Sequence, residues 1–298
     1  MMPSFGMRQR GLSMVELMIG VTLSLLLILG VTQVFLSSKT TYTSNRALSD
    51  IQERGRFAVE MLAKDIRSAG YKGQCLTPPL IHIAGGGTSL WALGDSAVHG
   101  WEGAKPTFSA TAIVSGTDSL FIQFAAGGTD VVGDTSNTAG DDTIVLSEGT
   151  SPVADGAVTL ISDGLACDVF VNDSSDGDTL VKDSAFDWTH EYTDEFEVLQ
   201  LESLAYYVAM DNGVPTLFRA RVSPSLAVEQ EEALVPGVAS MSLEYGVGAG
   251  QVVSDYVQAS SVTNWGNVVA VKVSLDVQAT SDVKKEFSTT IALRNHLR

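Results

Sequence analysis

The chain has 298 residues, with 35 acidic against 18 basic side chains and a formal net charge of −17. That length suffices for a large core or two lobes and excludes a miniprotein. The acid excess, with no basic stripe beyond residue 76, argues against nucleic acid as a direct ligand, because phosphate binding requires such a stripe; it fits an exported domain kept soluble by its charge.

Residues 1–11 carry Arg8 and Arg10 but no acid, and they close on Gly11. Leu12-Ser13-Met14-Val15-Glu16 follows, and from Leu17 to Leu36 no side chain is charged. As a helix this stretch spans about 30 Å, the thickness of a bilayer hydrocarbon core. A secretory signal peptide also begins basic, but its apolar region is shorter and ends on small residues, which Gly30-Val31-Thr32-Gln33-Val34-Phe35 does not supply. Glu16 stands out, since a carboxylate costs about 2.5–3.5 kcal/mol at the centre of a membrane helix and less near its edge. Ser13-x-x-Glu16 fits a capping box with the acid at the positive end of the helix dipole; alternatively the carboxylate snorkels to the interface. Charge flanks leave orientation open, because Arg8 and Arg10 precede the span while Lys39, Arg46, Arg54 and Arg56 follow it.

Helical periodicity continues through Leu48, Ile51, Phe57, Ala58, Met61, Leu62, Ile66 and Ala69, which return at three- and four-residue spacing as one apolar stripe. Charged residues fill the other positions, with Asp50–Arg54 and Glu60–Lys64 at favourable i,i+4 spacing. Gly70 and Gly73 stop the helix, and Pro78 and Pro79 follow. With no proline between Pro3 and Pro78, one helix from about Leu12 to Ser68 would reach about 85 Å. Its second half is expected to be covered by the chain's own sheet.

From about Gly73 the composition turns to Gly, Ser, Thr, Asp and Val in short alternating runs, as in a β-rich domain. Strands are expected at Ser119–Ala125, Thr143–Leu146, Ala157–Ile161, Asp168–Val171, Val198–Glu202, Leu204–Ala209, Thr216–Val222, Val238–Tyr245, Val268–Gln278 and Glu286–Leu293. Asp155-Gly156, Asp163-Gly164, Asp176-Gly177 and Asn212-Gly213 are turn signals. Val269, Val271, Val273, Leu275 and Val277 alternate with Ala270, Lys272, Ser274, Asp276 and Gln278, which predicts one buried and one wet face. Residues 76–112 and 127–142 are Gly-rich and poorly patterned, and read as loops or insertions.

The two cysteines, Cys75 and Cys167, lie in the part that would be exported. The even count and an oxidising compartment favour one disulfide over two buried thiols, and closing so long a loop removes about 4–5 kcal/mol of unfolded-chain free energy in the loop-entropy account. His82, His99, His190 and His296 show no zinc-ligand spacing, Gly85-Gly86-Gly87 lacks the context of a phosphate loop, and no nucleophile elbow exists. No cofactor or enzymatic role is therefore expected. Asn172, Ser174, Asp176, Asp178 and Asp183, around Gly177 and Thr179, form an oxygen-rich turn that loosely imitates a calcium loop. Asn and Ser stand where such a loop has acids, and a solvated Asp-Gly hairpin is the stronger reading.

The short basic leader, Gly11, Glu16 and the apolar run resemble the processing site of type IV pilins and type II secretion pseudopilins. Asp65-Ile66-Arg67-Ser68-Ala69-Gly70-Tyr71-Lys72-Gly73 with Cys75, Thr216-Leu217-Phe218-Arg219, Leu243-Glu244-Tyr245-Gly246-Val247, Trp265 to Leu275, and Ala292-Leu293-Arg294-Asn295 look like the PilW group of minor pilins. The resemblance implies an α+β, type IV pilin-like fold: a long N-terminal helix, half transmembrane and half packed on an antiparallel sheet, with an enlarged β-rich head. It divides the chain into a leader (1–11), a membrane or filament-core helix (12–36), its amphipathic continuation (37–70) and a head (71–298), with a variable insertion at about 76–200.

It further implies cleavage between Gly11 and Leu12 by a prepilin peptidase, N-methylation of Leu12, and pairing of that amine with Glu16 of a neighbouring subunit. Leu12 departs from the phenylalanine usual there, and a mature chain would carry about −19 after losing Arg8 and Arg10. Implied partners are other minor pilins, the major pilin, the inner-membrane assembly platform and a PilY-type tip adhesin. The implied location is the inner membrane with a periplasmic head, then the pilus at the cell surface, in support of adhesion, twitching motility or DNA uptake. Two rivals remain: a J-like type II secretion pseudopilin, and a membrane-anchored periplasmic adhesin or binding module that never polymerises.

Overall fold

The computed structural model describes residues 13–76, 78–83, 97–103, 106, 113–182, 188–223, 227–249, 252–280 and 283–295. Gly11, Leu12, Gly85-Gly86-Gly87, Asp183 and His296 lie outside them. The chain divides into two compact units, residues 1–50 and Ile51–Arg298. Helix α1, Met14–Ser68, begins in the first and ends in the second.

In the first unit α1 is exposed from Met14 to Arg46, including every large apolar residue from Met14 to Leu36. Thr22, Ser24, Thr32, Thr40, Thr41 and Thr43 each donate a hydroxyl hydrogen bond to a carbonyl one turn back, which satisfies them without solvent.

In the second unit the helix buries Ile51, Gly55, Ala58, Leu62, Ala63, Asp65 and Ile66; of the expected stripe Ile51, Ala58, Leu62 and Ile66 are buried here, whereas Met61 is half-buried and Phe57 is 50 % exposed. Outward positions carry Arg56 and Glu60, which pair at 3.1 Å; Glu60 turns back to Arg56 rather than forward to Lys64. The helix ends as Gly70 takes φ +75° and donates its N–H to Gln123 O. The Asn295 side chain donates to the carbonyls of Arg67 and Ser68 at 3.4 Å, so the C-terminal segment supplies acceptor-starved donors where the helix leaves free carbonyls.

Fourteen strands follow among the described residues. Ten form one sheet: β1 (Leu80–His82), β2 (Val98–Trp101), β3 (Ser119–Gly133), β4 (Thr143–Glu148), β5 (Val158–Ser162), β6 (Cys167–Val171), β7 (Thr179–Val181), β8 (Glu195–Asp211), β9 (Val214–Val222) and β10 (Val228–Pro236). The main path runs β1-β6-β5-β8-β3-β4-β7, with β2 on β3, β9 on β8 and β10 on β9. All pairs are antiparallel except β1 with β6. The remaining strands, β11 (Val238–Ala249), β12 (Val252–Val257), β13 (Val268–Thr280) and β14 (Val283–Ala292), form an antiparallel sheet of order β12-β11-β13-β14.

Strand β8 organises the unit. Leu204, Tyr206 and Val208 join Ile51, Ala58, Leu62 and Ile66 of the helix and Met241, Leu243, Val271, Val273 and Leu275 of the smaller sheet in the largest core. The alternate residues Ala205, Tyr207 and Ala209 face a separate cluster with Phe121 and Phe218, so this part of β8 is buried on both faces. Its N-terminal half pairs with β5 and leads into a further core of Ile144, Phe170, Leu180, Trp188, Tyr192 and Phe196.

Several boundaries depart from the sequence expectations. Val198–Glu202 and Leu204–Ala209 are one strand, because the intervening Ser203 is buried and its hydroxyl accepts from the Gln123 carboxamide at 2.9 Å. The supposed loop at 127–142 begins inside β3: Gly127 and Gly128 occupy a bulge against β8, with Gly127 at φ +69° and Glu197 filling the space a Gly128 Cβ would need. Within 76–112 lie β1 and β2. β7, β10 and β12 were not legible either. β10 pairs only with β9 and exposes Glu229, Gln230, Glu231 and Glu232 in succession, so it lacks the alternation that reveals a half-buried strand. The β13 alternation holds from Val271 to Val277, with Lys272 on the wetter face paired to Glu244 at 2.5 Å, but Ala270, expected on that face, is buried.

Candidate functional site

The first turn of α1 holds Glu16, exposed, with Ser13 O accepting the helix-opening bond from Leu17 N at 3.1 Å. Among the described residues neither the Ser13 hydroxyl nor the Glu16 carboxylate has a side-chain hydrogen bond, so the reciprocal pair of a capping box is not formed. Beyond Glu16 the surface is hydrocarbon: Met14 is 80 %, Leu27 70 % and Phe35 66 % exposed. Among the described residues α1 is the one helix long and apolar enough to cross a membrane. Such a surface requires lipid or other apolar helices around it.

A second polar constellation lies in the second unit, and periodicity gave no sign of it. Cys75 and Cys167 are joined by a disulfide, with Cα atoms 5.5 Å apart and a sequence separation of 92. Beside it, His82 Nε2 meets Asp168 Oδ1 at 2.5 Å, and the Tyr192 hydroxyl donates to Asp168 Oδ2 at 2.5 Å. All three are buried; burial first, and then the Asp168 carboxylate, push the Tyr192 phenol far above its ordinary range. The disulfide and this network clamp the short parallel strand β1 onto β6 from two sides. The set is closed off from solvent, so its evident work is to latch the segment after the helix.

Helix and sheet are tied by Asp65, whose carboxylate accepts from the Tyr206 hydroxyl and lies 3.6 Å from Arg219. Arg219 also pairs with Glu232 at 2.8 Å, and Arg221 with Glu202 at 3.1 Å. These residues line a cleft of about 250 Å³ in which each arginine already faces a carboxylate. The other two described histidines also have neighbours: His190 Nε2 meets Asp163 Oδ2 at 2.5 Å, and His99 packs against Trp101 and Trp265 with ring centroids 4.7 and 4.4 Å away.

In the oxygen-rich turn, Asn172 Oδ1 accepts from Val181 N, Asn172 Nδ2 donates to Ala154 O and Ser174 O, Ser174 Oγ meets Thr179 Oγ1 at 2.7 Å, and Asp176 Oδ1 accepts from Asp178 N. These are the internal bonds of a turn. Among the described residues no group of three or more His, Cys, Asp or Glu is placed to hold a metal ion.

Residues 205–296 match the family model described as type IV pilus-assembly protein W, PilW. This C-terminal segment is similar to the PilW family. No curated protein and no solved structure matches it. The PilW segment starts inside β8 and runs through β14, so it supplies Tyr206, Arg219, Leu243, Val273 and Asn295, the residues that receive Ile51–Ser68. Outside it lie α1, strands β1 to β7 and both cysteines. The match to a type IV pilus-assembly family lies in the same chain as an apolar N-terminal helix long enough to cross a membrane.

Proposed function

We propose that this protein is a PilW-family minor pilin, incorporated at or near the tip of a type IV pilus, where it primes assembly with other minor pilins. One observation carries the reading: the PilW segment is attached to a helix whose first half is apolar, wholly exposed and marked by a single carboxylate at its start. A prepilin peptidase cuts between Gly11 and Leu12 at the cytoplasmic face, Leu12 is N-methylated, and the head resides in the periplasm before reaching the surface fibre.

Lipid tails and neighbouring helices are similarly apolar, so extraction from the membrane exchanges one set of dispersion contacts for another. Specificity then falls to polar groups. Within a helix bundle the Leu12 ammonium and the Glu16 carboxylate of a neighbour attract strongly, while a register that strands the carboxylate is penalised. Partners on this reading are other minor pilins, the major pilin, the assembly platform and a PilY-type adhesin.

The test is intact-mass and N-terminal analysis of the protein recovered from native membranes and from sheared fibres. A methylated terminus at Leu12 in fibre-associated protein is expected. An intact leader beside a working peptidase, or absence from fibres, overturns the proposal. Glu16→Ala should leave membrane insertion unchanged and lower incorporation.

A further inference from the structure

Four polar side chains occur in the charge-free stretch Leu17–Leu36: Thr22, Ser24, Thr32 and Gln33. Three of them are satisfied by their own helix. Thr22 Oγ1 donates to Met18 O and Ile19 O at 3.0 and 2.9 Å, Ser24 Oγ to Gly20 O at 2.8 Å, and Thr32 Oγ1 to Ile28 O at 2.7 Å. Gln33 is exposed, and its carboxamide bonds to no described residue. It has two donors and an acceptor oxygen to satisfy.

We infer that Gln33 sets the register of this helix against a neighbouring apolar helix of the fibre, through a hydroxyl or carboxamide on that neighbour. The inference rests on the minor-pilin reading. Gln33 stands about 25 Å along the helix from Glu16, and the hydrocarbon core is about 30 Å thick. With Glu16 at one boundary, Gln33 lies a few ångströms inside the other, where its amide reaches interfacial water at little cost. Between packed helices no such water is at hand, and only a register that presents a polar group satisfies it. Membrane residence therefore tolerates Gln33 in any rotation of the helix, whereas assembly does not. Glu16 and Gln33 also point about 100° apart around the axis, so the two groups address different neighbours and together restrain both translation and rotation. The hydroxyls of Thr22, Ser24 and Thr32, already spent internally, compete weakly for this role.

The test uses full-length protein in cells that assemble fibres. One cysteine is placed at Leu29, and single cysteines are placed along the apolar helix of a pilin recovered from the same fibres; cross-links are then mapped. The unmodified Gln33 chain should give one dominant cross-link. Gln33→Leu should lower the ratio of that cross-link to its off-register neighbours about three- to fifteenfold, the range set by interhelical hydrogen bonds, while carbonate-resistant membrane insertion stays unchanged. An unaltered ratio in Gln33→Leu overturns the assignment of Gln33 and leaves the pilin reading standing. Absence of the Gln33 chain from fibres overturns the pilin reading, and this inference with it.

Discussion

The ring of Phe287 on β14 lies directly on Gly55 of α1, so close that a Cβ at Gly55 would stand 2.2 Å from the ring. A glycine inside a helix costs about 1 kcal/mol relative to alanine, and here the cost admits an aromatic ring to the helix backbone. Gly55→Ala should destabilise the protein by about 1–3 kcal/mol, because overpacking outweighs the gain in helix propensity. Denaturant unfolding in detergent measures it, and Phe287→Ala in the same chain should remove most of the added penalty of Gly55→Ala.

Asp65 is a buried carboxylate on the helix that receives the Tyr206 hydroxyl and faces Arg219. Asp65→Ala should cost about 2–3 kcal/mol, the range for hydrogen bonds to a charged group. Tyr206→Phe should cost less, about 1 kcal/mol, since Arg219 still compensates the carboxylate. Equal losses for the two variants would show that the arginine contributes nothing.

The disulfide closes a loop with a sequence separation of 92. Cys75→Ser with Cys167→Ser should lower stability by about 2–5 kcal/mol. Strand β1 should stay docked through His82 and Asp168, whose bond does not depend on the sulfurs. Hydrogen exchange of the Leu80–His82 amides checks this: protection should fall only as far as global stability falls. Adding His82→Ala should abolish protection locally.

Acid should weaken the fold through His99. Burial lowers its pKa below the ordinary 6.5, so the unfolded chain binds the proton more readily than the native one. Stability from this group is complete above 6.5 and declines as pH falls below it. His99→Phe, which keeps a ring against Trp101 and Trp265, should flatten the dependence of unfolding free energy on pH over that window. Asp163 adds a loss at lower pH: burial raises its pKa, but the N–H groups of Ala166 and Leu165 and the His190 ring outweigh this and hold it below the ordinary 3.8.

Local pattern determined a good deal of this protein. The charge-free run from Leu17, the stripe Ile51–Ala58–Leu62–Ile66, the Gly70 stop and the alternation of β13 each follow from a period that a helix or a half-buried strand imposes on its own residues. The Asn212-Gly213 hairpin was equally legible, because a two-residue turn with positive φ at both positions, +48° and +82°, demands those residue types. The tertiary structure alone decided what no period encodes. Gly127 and Gly128 look like a loop until β8 supplies the partner strand and Glu197 the filling. The exposed acids of β10 become a strand only as the edge beside β9. Asp65 reads as one more polar position until Tyr206, 141 residues away, brings its hydroxyl to it, and His82 becomes a latch only once β1 lies along Asp168. Those contacts join residues remote in sequence, so chain closure and core packing select them, and local propensity has no means of recording them.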